Sequence, residues 1–528
     1  MRLAFVFLAA FCVWSLPQES SSYKILGVFP TFSKSHYILG SKIMRELAEK
    51  GHEVTVLTPF ILNKGVPNLT EVLVDGIIEK SSIITDHLLE FDSTSMFGRL
   101  RNLYFFGLMM TNHTMDHPKV KQFLKSDAKF DVIVLEIFVN DAMLGFGSHF
   151  KAPVVGISTF GANNWVNEMV GTPSPLSYNP HFNLEYMERM TFMQRVHNFF
   201  VNCLDYAFIK FFFLPAQKKI YENSFPAETR QDFDQVLKKS VSFVLLNSHY
   251  TTSYPRPYVP NMVEIGGAQI NRKQKSLPTD VKRILDAAHD GAIYFSMGTN
   301  IESTRLPQEK RDAILKTFAK FPKIQFLWKW EDPKLPGKPS NVHIQKWWPQ
   351  DDLLGHPNIR CFITHGGLLS TAEANYHGIP IIGIPVFGDQ DLNMARAQNM
   401  GYGVSVKYKN LTEASLTWAL TEILNNKKYK ENAREIAVRY RDQPMTPLDT
   451  ATYWIEYVAR HKGATFMQSP AQDLGFFSYH LLDVFAFLGG IVFVFVFLLK
   501  ILFCKKSKKV GNEVNNNKTK VNEKKKKK

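Results

Sequence analysis

Four cysteines, Cys12, Cys203, Cys361 and Cys504, are all that this chain of 528 residues contains. Cys12 lies in an apolar leader and Cys504 at the far edge of a carboxyl-terminal apolar run, so a disulfide framework is excluded. Cys361 sits in a run that reads as a buried strand, where a thiol behaves as a small hydrophobe. No G-x-G-x-x-G follows the first strand, which argues against a dinucleotide-dependent oxidoreductase. A basic stripe interleaved with aromatics is also missing. The formal net charge is +15, but the tail Lys505–Lys528 holds eleven Lys and two Glu and therefore carries nine of those charges. The balance of charge thus points away from nucleic acid. The run Leu3–Leu16, preceded by Met1-Arg2, is shorter than the roughly 20 residues a membrane span needs. With Pro17 and small polar residues after it, the run reads as a signal peptide over residues 1–22, cleaved near Ser20–Ser22.

What is present organises the rest. The length calls for more than one core, and phenylalanine is abundant, with 42 copies. Tyr23–Phe29 reads as a buried strand, Ser41–Lys50 as a helix and Glu53–Leu57 as the next strand, a βαβ unit that implies a parallel sheet. Phe130–Leu135, Pro153–Ile157 and Ser242–Leu246 continue that sheet, so residues 23–265 form one Rossmann-like domain. The polar, basic stretch Gly266–Pro278 opens a linker over 266–290. A second α/β domain follows over 291–443, with strands Ala292–Phe295 and Ile324–Trp328 and a helix Pro307–Lys320 between them. Residues 444–483 are return helices and a pre-membrane segment. Val484–Cys504 is apolar except for Lys500 and long enough to span, and 505–528 is a basic tail. Met190–Pro215 is crowded with Phe. It reads either as core helices walling an apolar pocket or as a helix lying on a membrane surface beside Lys210, Lys218 and Lys219.

The most informative segment is Trp347–Gln390, WWPQDDLLGHPNIRCFITHGGLLSTAEANYHGIPIIGIPVFGDQ. Ile359–Thr364 reads as a buried strand ending in His365-Gly366-Gly367, and Ser370-Thr371 opens a helix to about His377 that Gly378 ends in a left-handed conformation. Pro380–Ile384 is the next strand, followed by Gly388-Asp389-Gln390. In open α/β sheets ligands lie outside the carboxyl ends of strands, and a Gly turn leading into a helix amino end offers free N–H groups to an anion. The segment is therefore a cradle for a phosphorylated ligand.

W-x-P-Q, H-G-G, E, H-G-I-P and D-Q, in this order and spacing, resemble the signature of the UDP-glycosyltransferases, in particular the membrane-bound UDP-glucuronosyltransferases of animals. The resemblance covers nearly the whole chain. It implies the GT-B architecture, two Rossmann-like domains with the active site in the cleft between them, plus a carboxyl-terminal transmembrane helix. It also implies a UDP-sugar co-substrate, a small lipophilic acceptor and no metal. On the residues, Trp347 is a stacking platform for uracil, Gln350 an edge partner of the nucleoside, and Glu373 the acceptor of two ribose hydroxyls. His365, Gly366, Gly367, Ser370 and Thr371 are placed for the pyrophosphate, together with the small-residue turn containing Ser296, Gly298 and Thr299. A positive imidazole at His365 would add charge. Asp389 and Gln390 would hold sugar hydroxyls. One departure stands out: the family often has Asn two residues after H-G-G, where this chain has Leu369, so that contact is lost or passes to Ser370.

Glycosyl transfer to a hydroxyl needs a base, and a His oriented by a carboxylate serves at neutral pH. His36 matches the family's catalytic His. The orienting Asp of the family corresponds to Glu136, at the end of F-D-V-I-V-L-E, with Asp141 as the alternative. The expected reaction is a single inverting displacement giving a β-glycoside. Glucuronate-using relatives carry Arg upstream of Y-P-R-P; here Asn247 precedes Tyr254–Pro257, which favours glucose over glucuronic acid and resembles insect members. Lys525 and Lys526 resemble a dilysine retrieval signal. The expected location is the endoplasmic reticulum membrane, single-pass with lumenal domains, in a detoxifying or conjugating role. Sequons at Asn68, Asn112 and Asn410 would then be lumenal. A non-enzymatic alternative, a membrane carrier of lipophilic molecules, is supported by Leu369 and Glu136 alone. Oligomeric state, homo- or hetero-, is open.

Overall fold

The computed structural model describes residues 22–85 and 95–526. The leader expected over residues 1–22, with Cys12, lies outside this range apart from Ser22. Residues up to Ser469 form one compact unit and Pro470 onward a second.

The first unit contains two all-parallel sheets. β1 (Lys24–Val28), β2 (Glu53–Thr58), β3 (Leu69–Leu73), β4 (Val132–Glu136), β5 (Val154–Ser158), β6 (Val241–Leu246) and β7 (Met262–Glu264) build one sheet in the order β3-β2-β1-β4-β5-β6-β7. β8 (Ala292–Ser296), β9 (Gln325–Lys329), β10 (Val342–Gln345), β11 (Ile359–Thr364), β12 (Ile381–Gly383) and β13 (Gly403–Ser405) build the other in the order β10-β9-β8-β11-β12-β13. Central strands such as β4, β5 and β6 are buried throughout, as parallel strands covered on both faces must be. That continuous apolar run is what makes them readable. The strands that escaped the sequence pattern, β3, β7, β10 and β13, are the four sheet edges, and each is short or only partly buried.

Helix α1 covers Lys34–Glu49, beginning seven residues before the expected Ser41. Gly40 lies inside α1 where the helix passes directly over Phe29: a Cβ at Gly40 would stand 2.2 Å from the Phe29 ring. Helix α2 is Met96–Asp116 and α3 is Phe192–Phe208, which runs through a π turn, Ile209–Phe213, into Leu214–Ser224. Only Met190, Val201, Ile209 and Phe213 of the aromatic stretch's apolar residues are buried, while Phe192, Phe199, Phe200, Phe211 and Phe212 face outward. The expectation of plain core helices is therefore corrected on that face. α4 is Leu368–His377, ended by Gly378 at φ 69°, and α5 is Gln390–Asn399. α6, Pro447–Arg460, returns to the first sheet, where Leu448, Ala451, Ile455 and Val458 share a core with Ile25 and Val134. Inside the stretch read as linker, Thr279–Asp286 is helical, and its Val281 and Leu285 join the second sheet's core.

In the second unit, α7 runs from Leu482 to Lys525, and its Leu482–Phe503 portion is long and apolar enough to cross a membrane.

Candidate active site

The site is built from loops at the carboxyl ends of both sheets. β1 feeds the turn that starts α1, which places His36 in the first turn of that helix. β4 ends at Glu136, whose carboxylate is fully buried. His36 Nδ1 and Glu136 Oε1 are 2.5 Å apart, and the other carboxylate oxygen accepts from the Thr31 hydroxyl at 2.7 Å. Thr159, just past β5, brings its hydroxyl to 3.0 Å from the same His36 nitrogen. Nδ1 is thus committed, and Nε2 has no partner among the described residues. A charged hydrogen bond of this kind fixes ring orientation and tautomer. The extra methylene of Glu136 is accommodated. Asp141 is not brought to His36: it is buried in a short 3-10 turn, where burial first, then Glu168, raises its carboxyl to about 6.

An aromatic wall flanks the imidazole. Phe138 and Phe160 meet it edge-on at 4.9 and 5.7 Å. Phe160 and Phe182 then line a cavity of about 60 Å³ that also touches Asp389 and Arg396. Asp389 lies close enough for His36 to lower its carboxyl, although burial, the larger effect, raises it overall. Asn393 donates to Asp389 at 2.8 Å and also to the Gly366 carbonyl at 3.0 Å, tying α5 to the glycine turn.

Around that turn, the glycines are required by His365. A Cβ on Gly298 would lie 2.5 Å from the His365 ring and one on Gly367 2.4 Å from it, and Gly298 and Gly366 have φ of 84° and 82°. Burial, then Lys329, pushes His365 down to about 4. Burial therefore favours the neutral imidazole at pH 7, against the expected positive charge. Ser296 uses its hydroxyl to accept from Gly298 N–H at 3.2 Å, Thr299 is half-buried in the same turn, and Thr371 Oγ1 donates back to the Leu368 carbonyl at 3.0 Å. These two hydroxyls hold the turns on either side of His365.

Trp347 and Trp348 separate cleanly. Trp348 is buried and donates to the Trp328 carbonyl at 3.1 Å, whereas Trp347 is 51 % exposed with the Lys34 ammonium 4.6 Å above its ring. Gln350 donates to Glu373 at 2.7 Å and to Ser370 at 3.2 Å. Burial first, then Asp351, raises Glu373 to about 8. Gln390 spends Oε1 on the N–H groups of Val386 and Phe387, at 2.8 and 3.1 Å, and so holds its own loop. Sequence reasoning missed Lys34, Thr159, Lys329 and Asn393. Lys329 had a readable signal, a charge at the end of an apolar parallel strand. Asn68 and Asn410 are exposed in or beside turns, and Asn112 is exposed on α2.

A family model described as "UDP-glucoronosyl and UDP-glucosyl transferase" matches residues 24–517. The chain is 34 % identical to the UDP-glycosyltransferase UGT5 of Dactylopius coccus over 91 % of each chain. It is 33 % identical to UDP-glucosyltransferase 2 of the same insect over 96 % of each. UDP-glucuronosyltransferase 2C1 of Oryctolagus cuniculus is 31 % identical over 91 % of this chain and 98 % of its own. Among solved structures, a calicheamicin glycosyltransferase superposes with a TM-score of 0.52 at 15 % identity, covering 84 % of this chain and 99 % of its own, a likeness of fold. The chain belongs to the UDP-glucuronosyl and UDP-glucosyl transferase family, as an enzyme that transfers sugar from a UDP-sugar to small acceptors.

Proposed function

We propose that this enzyme is an inverting glucosyltransferase in which His36 removes the proton of a lipophilic acceptor's hydroxyl and Glu136 orients the imidazole and stabilises its charge. The observation that carries this reading is the His36–Glu136 contact of 2.5 Å beside an aromatic wall and within electrostatic reach of Asp389. The acceptor oxygen attacks C1 of the sugar as the bond from C1 to the UDP oxygen breaks. The proton passes to His36 Nε2, and UDP leaves against the N–H groups at the start of α4 and the Gly366 turn. Trp347 stacks uracil, Gln350 meets the nucleoside edge, Glu373 takes the ribose hydroxyls, and Asp389 takes sugar hydroxyls. His36→Ala should lower kcat by about 10²–10⁴-fold with donor affinity retained. Unchanged turnover would remove His36 from the chemistry.

Glucose is favoured because Asn247 is uncharged and buried, its amide donating to the Thr159 carbonyl at 3.0 Å behind His36. One observation favours glucuronate instead. Arg396, whose guanidinium lies 4.9 Å over the Tyr254 ring with its Nε buried and unpartnered, lines the same cavity as Asn247. Turnover of one phenol with UDP-glucose and with UDP-glucuronate decides between them, and Arg396→Leu should selectively damage the second if that is the true donor.

The site's chemistry needs no metal in this reading, since N–H groups take the leaving charge. The span at Leu482–Phe503 and the basic residues after it support a single-pass endoplasmic reticulum protein with its sheets in the lumen, conjugating lipophilic compounds. Asn68, Asn112 and Asn410 would be its glycan sites. Protease protection in sealed microsomes and removal of glycans by endoglycosidase test this placement.

A further inference from the structure

Lys34 opens α1, one turn-start ahead of His36, and its ammonium lies 4.6 Å above the Trp347 ring. Lys34 belongs to the loops of the first sheet and Trp347 to those of the second, so the contact crosses the site. The surroundings disfavour a cation there. The side chain is partly buried, and desolvation, then the charge of Lys329, holds its ammonium below the usual lysine range. The position is also the positive end of the α1 dipole, and no acidic residue stands in that first turn. Among the described residues no carboxylate pairs with Lys34. An indole face offsets part of such a cost, whereas an anion offsets it in full.

The neighbours of Lys34 say where that anion sits. Ser33 donates its hydroxyl to Asn300 Oδ1 at 3.0 Å, and Asn300 ends the turn that holds Ser296, Gly298 and Thr299. Lys329, whose charge reaches Lys34, also reaches His365 beside Gly366 and Gly367. Lys329 is itself matched, its ammonium 2.7 Å from Glu331. The unpaired cation of this group is therefore Lys34, next to the loop bonded to one glycine turn and within charge range of the residue beside the other. A base and an ammonium exclude each other on one indole face. Uracil stacking where Lys34 lies must displace the ammonium, and its flexible four-carbon stem permits that. A uridine nucleotide supplies the anion together with the base.

We propose that Lys34 is a further catalytic residue: uracil displaces its ammonium from Trp347, and the ammonium moves onto a diphosphate oxygen of the UDP-sugar, where it meets the negative charge that develops as the bond from C1 to the UDP oxygen breaks. Lys34 keeps its proton throughout and forms no covalent bond. The inference rests on the reading of Trp347 as the uracil platform. It adds a selection step: uridine alone removes the ring contact and returns no phosphate contact, so the site favours nucleotide over nucleoside.

Uridine and UDP separate these contributions. Each is titrated by calorimetry into the full-length protein in detergent, as wild type, Lys34→Met and Lys34→Arg. Lys34→Met should weaken UDP binding about tenfold or more, as expected for loss of a charged hydrogen bond. Uridine should bind as tightly as to wild type, or up to about threefold more tightly, because the base no longer displaces a cation. With the UDP-sugar that wild type turns over, kcat should fall about 10²-fold in Lys34→Met. Lys34→Arg should keep UDP affinity within about threefold. Salt should weaken UDP binding less in Lys34→Met than in wild type. The melting temperature should not fall, since an unpaired cation is removed. Equal losses for uridine and UDP overturn the proposal and make Lys34 a prop for Trp347. Unchanged UDP affinity overturns it whatever happens to kcat, and unchanged kcat overturns the catalytic role. Unaltered uridine affinity in Trp347→Ala would instead remove the platform, a failure of the donor reading that is seen without touching Lys34.

Discussion

At the residue scale, neighbouring identical side chains do different work according to burial. Trp347→Ala should weaken UDP binding by about 1–3 kcal/mol, the worth of stacking a base on an aromatic ring, with the melting temperature unchanged. Trp348→Ala removes a buried ring that donates to Trp328 and should cost about 3–5 kcal/mol of stability, read by denaturant unfolding. A reversed pattern would exchange the two assignments. Glu373 supplies a pH test. Its carboxyl is raised to about 8, so it is mostly protonated at pH 7, whereas two donating ribose hydroxyls favour the carboxylate. UDP binding at pH 7 should therefore release a proton, and affinity should rise with pH and level off above about 8. Calorimetry in buffers of different ionisation enthalpy measures that proton, and Glu373→Gln should abolish it. These roles were legible only where a motif fixed them. Trp347 and Glu373 stand at family spacing, but that Gln390 would turn inward to hold its own loop, or that burial would neutralise His365, depends on neighbours no spacing reveals.

At the scale of elements, α1 shows packing overruling local preference. A glycine inside a helix costs about 1 kcal/mol relative to Ala, yet Gly40 lies within α1, ahead of the expected start at Ser41. In the fold it lets α1 lie against Phe29, and this close approach sets where His36 stands. Gly40→Ala should destabilise the protein by about 1–3 kcal/mol through overpacking and lower kcat, because the helix carrying His36 is pushed away. Adding Phe29→Leu should recover part of both losses, a coupling that a thermodynamic cycle of the two changes would show. The central strands were readable for the opposite reason. Being buried on both faces they are apolar throughout, whereas the edge strands lack that pattern and await a partner to define them.

At the scale of the whole molecule, the first unit's stability should depend on acid through its buried imidazoles. His249 is stacked on Tyr440 at 3.8 Å and burial lowers it to about 4; His365 is lowered to about 4 as well. A histidine held neutral in the fold but titrating near 6.5 when unfolded contributes stability that is complete above about 6.5 and lost as pH falls toward 4. The histidine contribution should therefore fall below pH 6.5, opposed by Glu373 and Asp141, whose raised carboxyls favour the fold as pH falls, so the measurement is the difference in melting temperature between wild type and His249→Phe at each pH. His249→Phe should flatten part of that fall, on the order of 3 kcal/mol at pH 4. A fall of the same size in the variant would place the acid sensitivity elsewhere. The sequence by itself determined the nucleotide cradle, the parallel sheets and the apolar carboxyl-terminal run, because each is written in local pattern: glycine turns at fixed spacing, continuous apolar strands, and length against bilayer thickness. Only the tertiary structure decided that Glu136 and not Asp141 meets His36, that Lys34 covers Trp347, and that half the aromatic stretch faces outward. These depend on residues about a hundred or more positions apart being brought together, or on which side of a helix the rest of the chain covers, and neither is recorded in any short window of sequence.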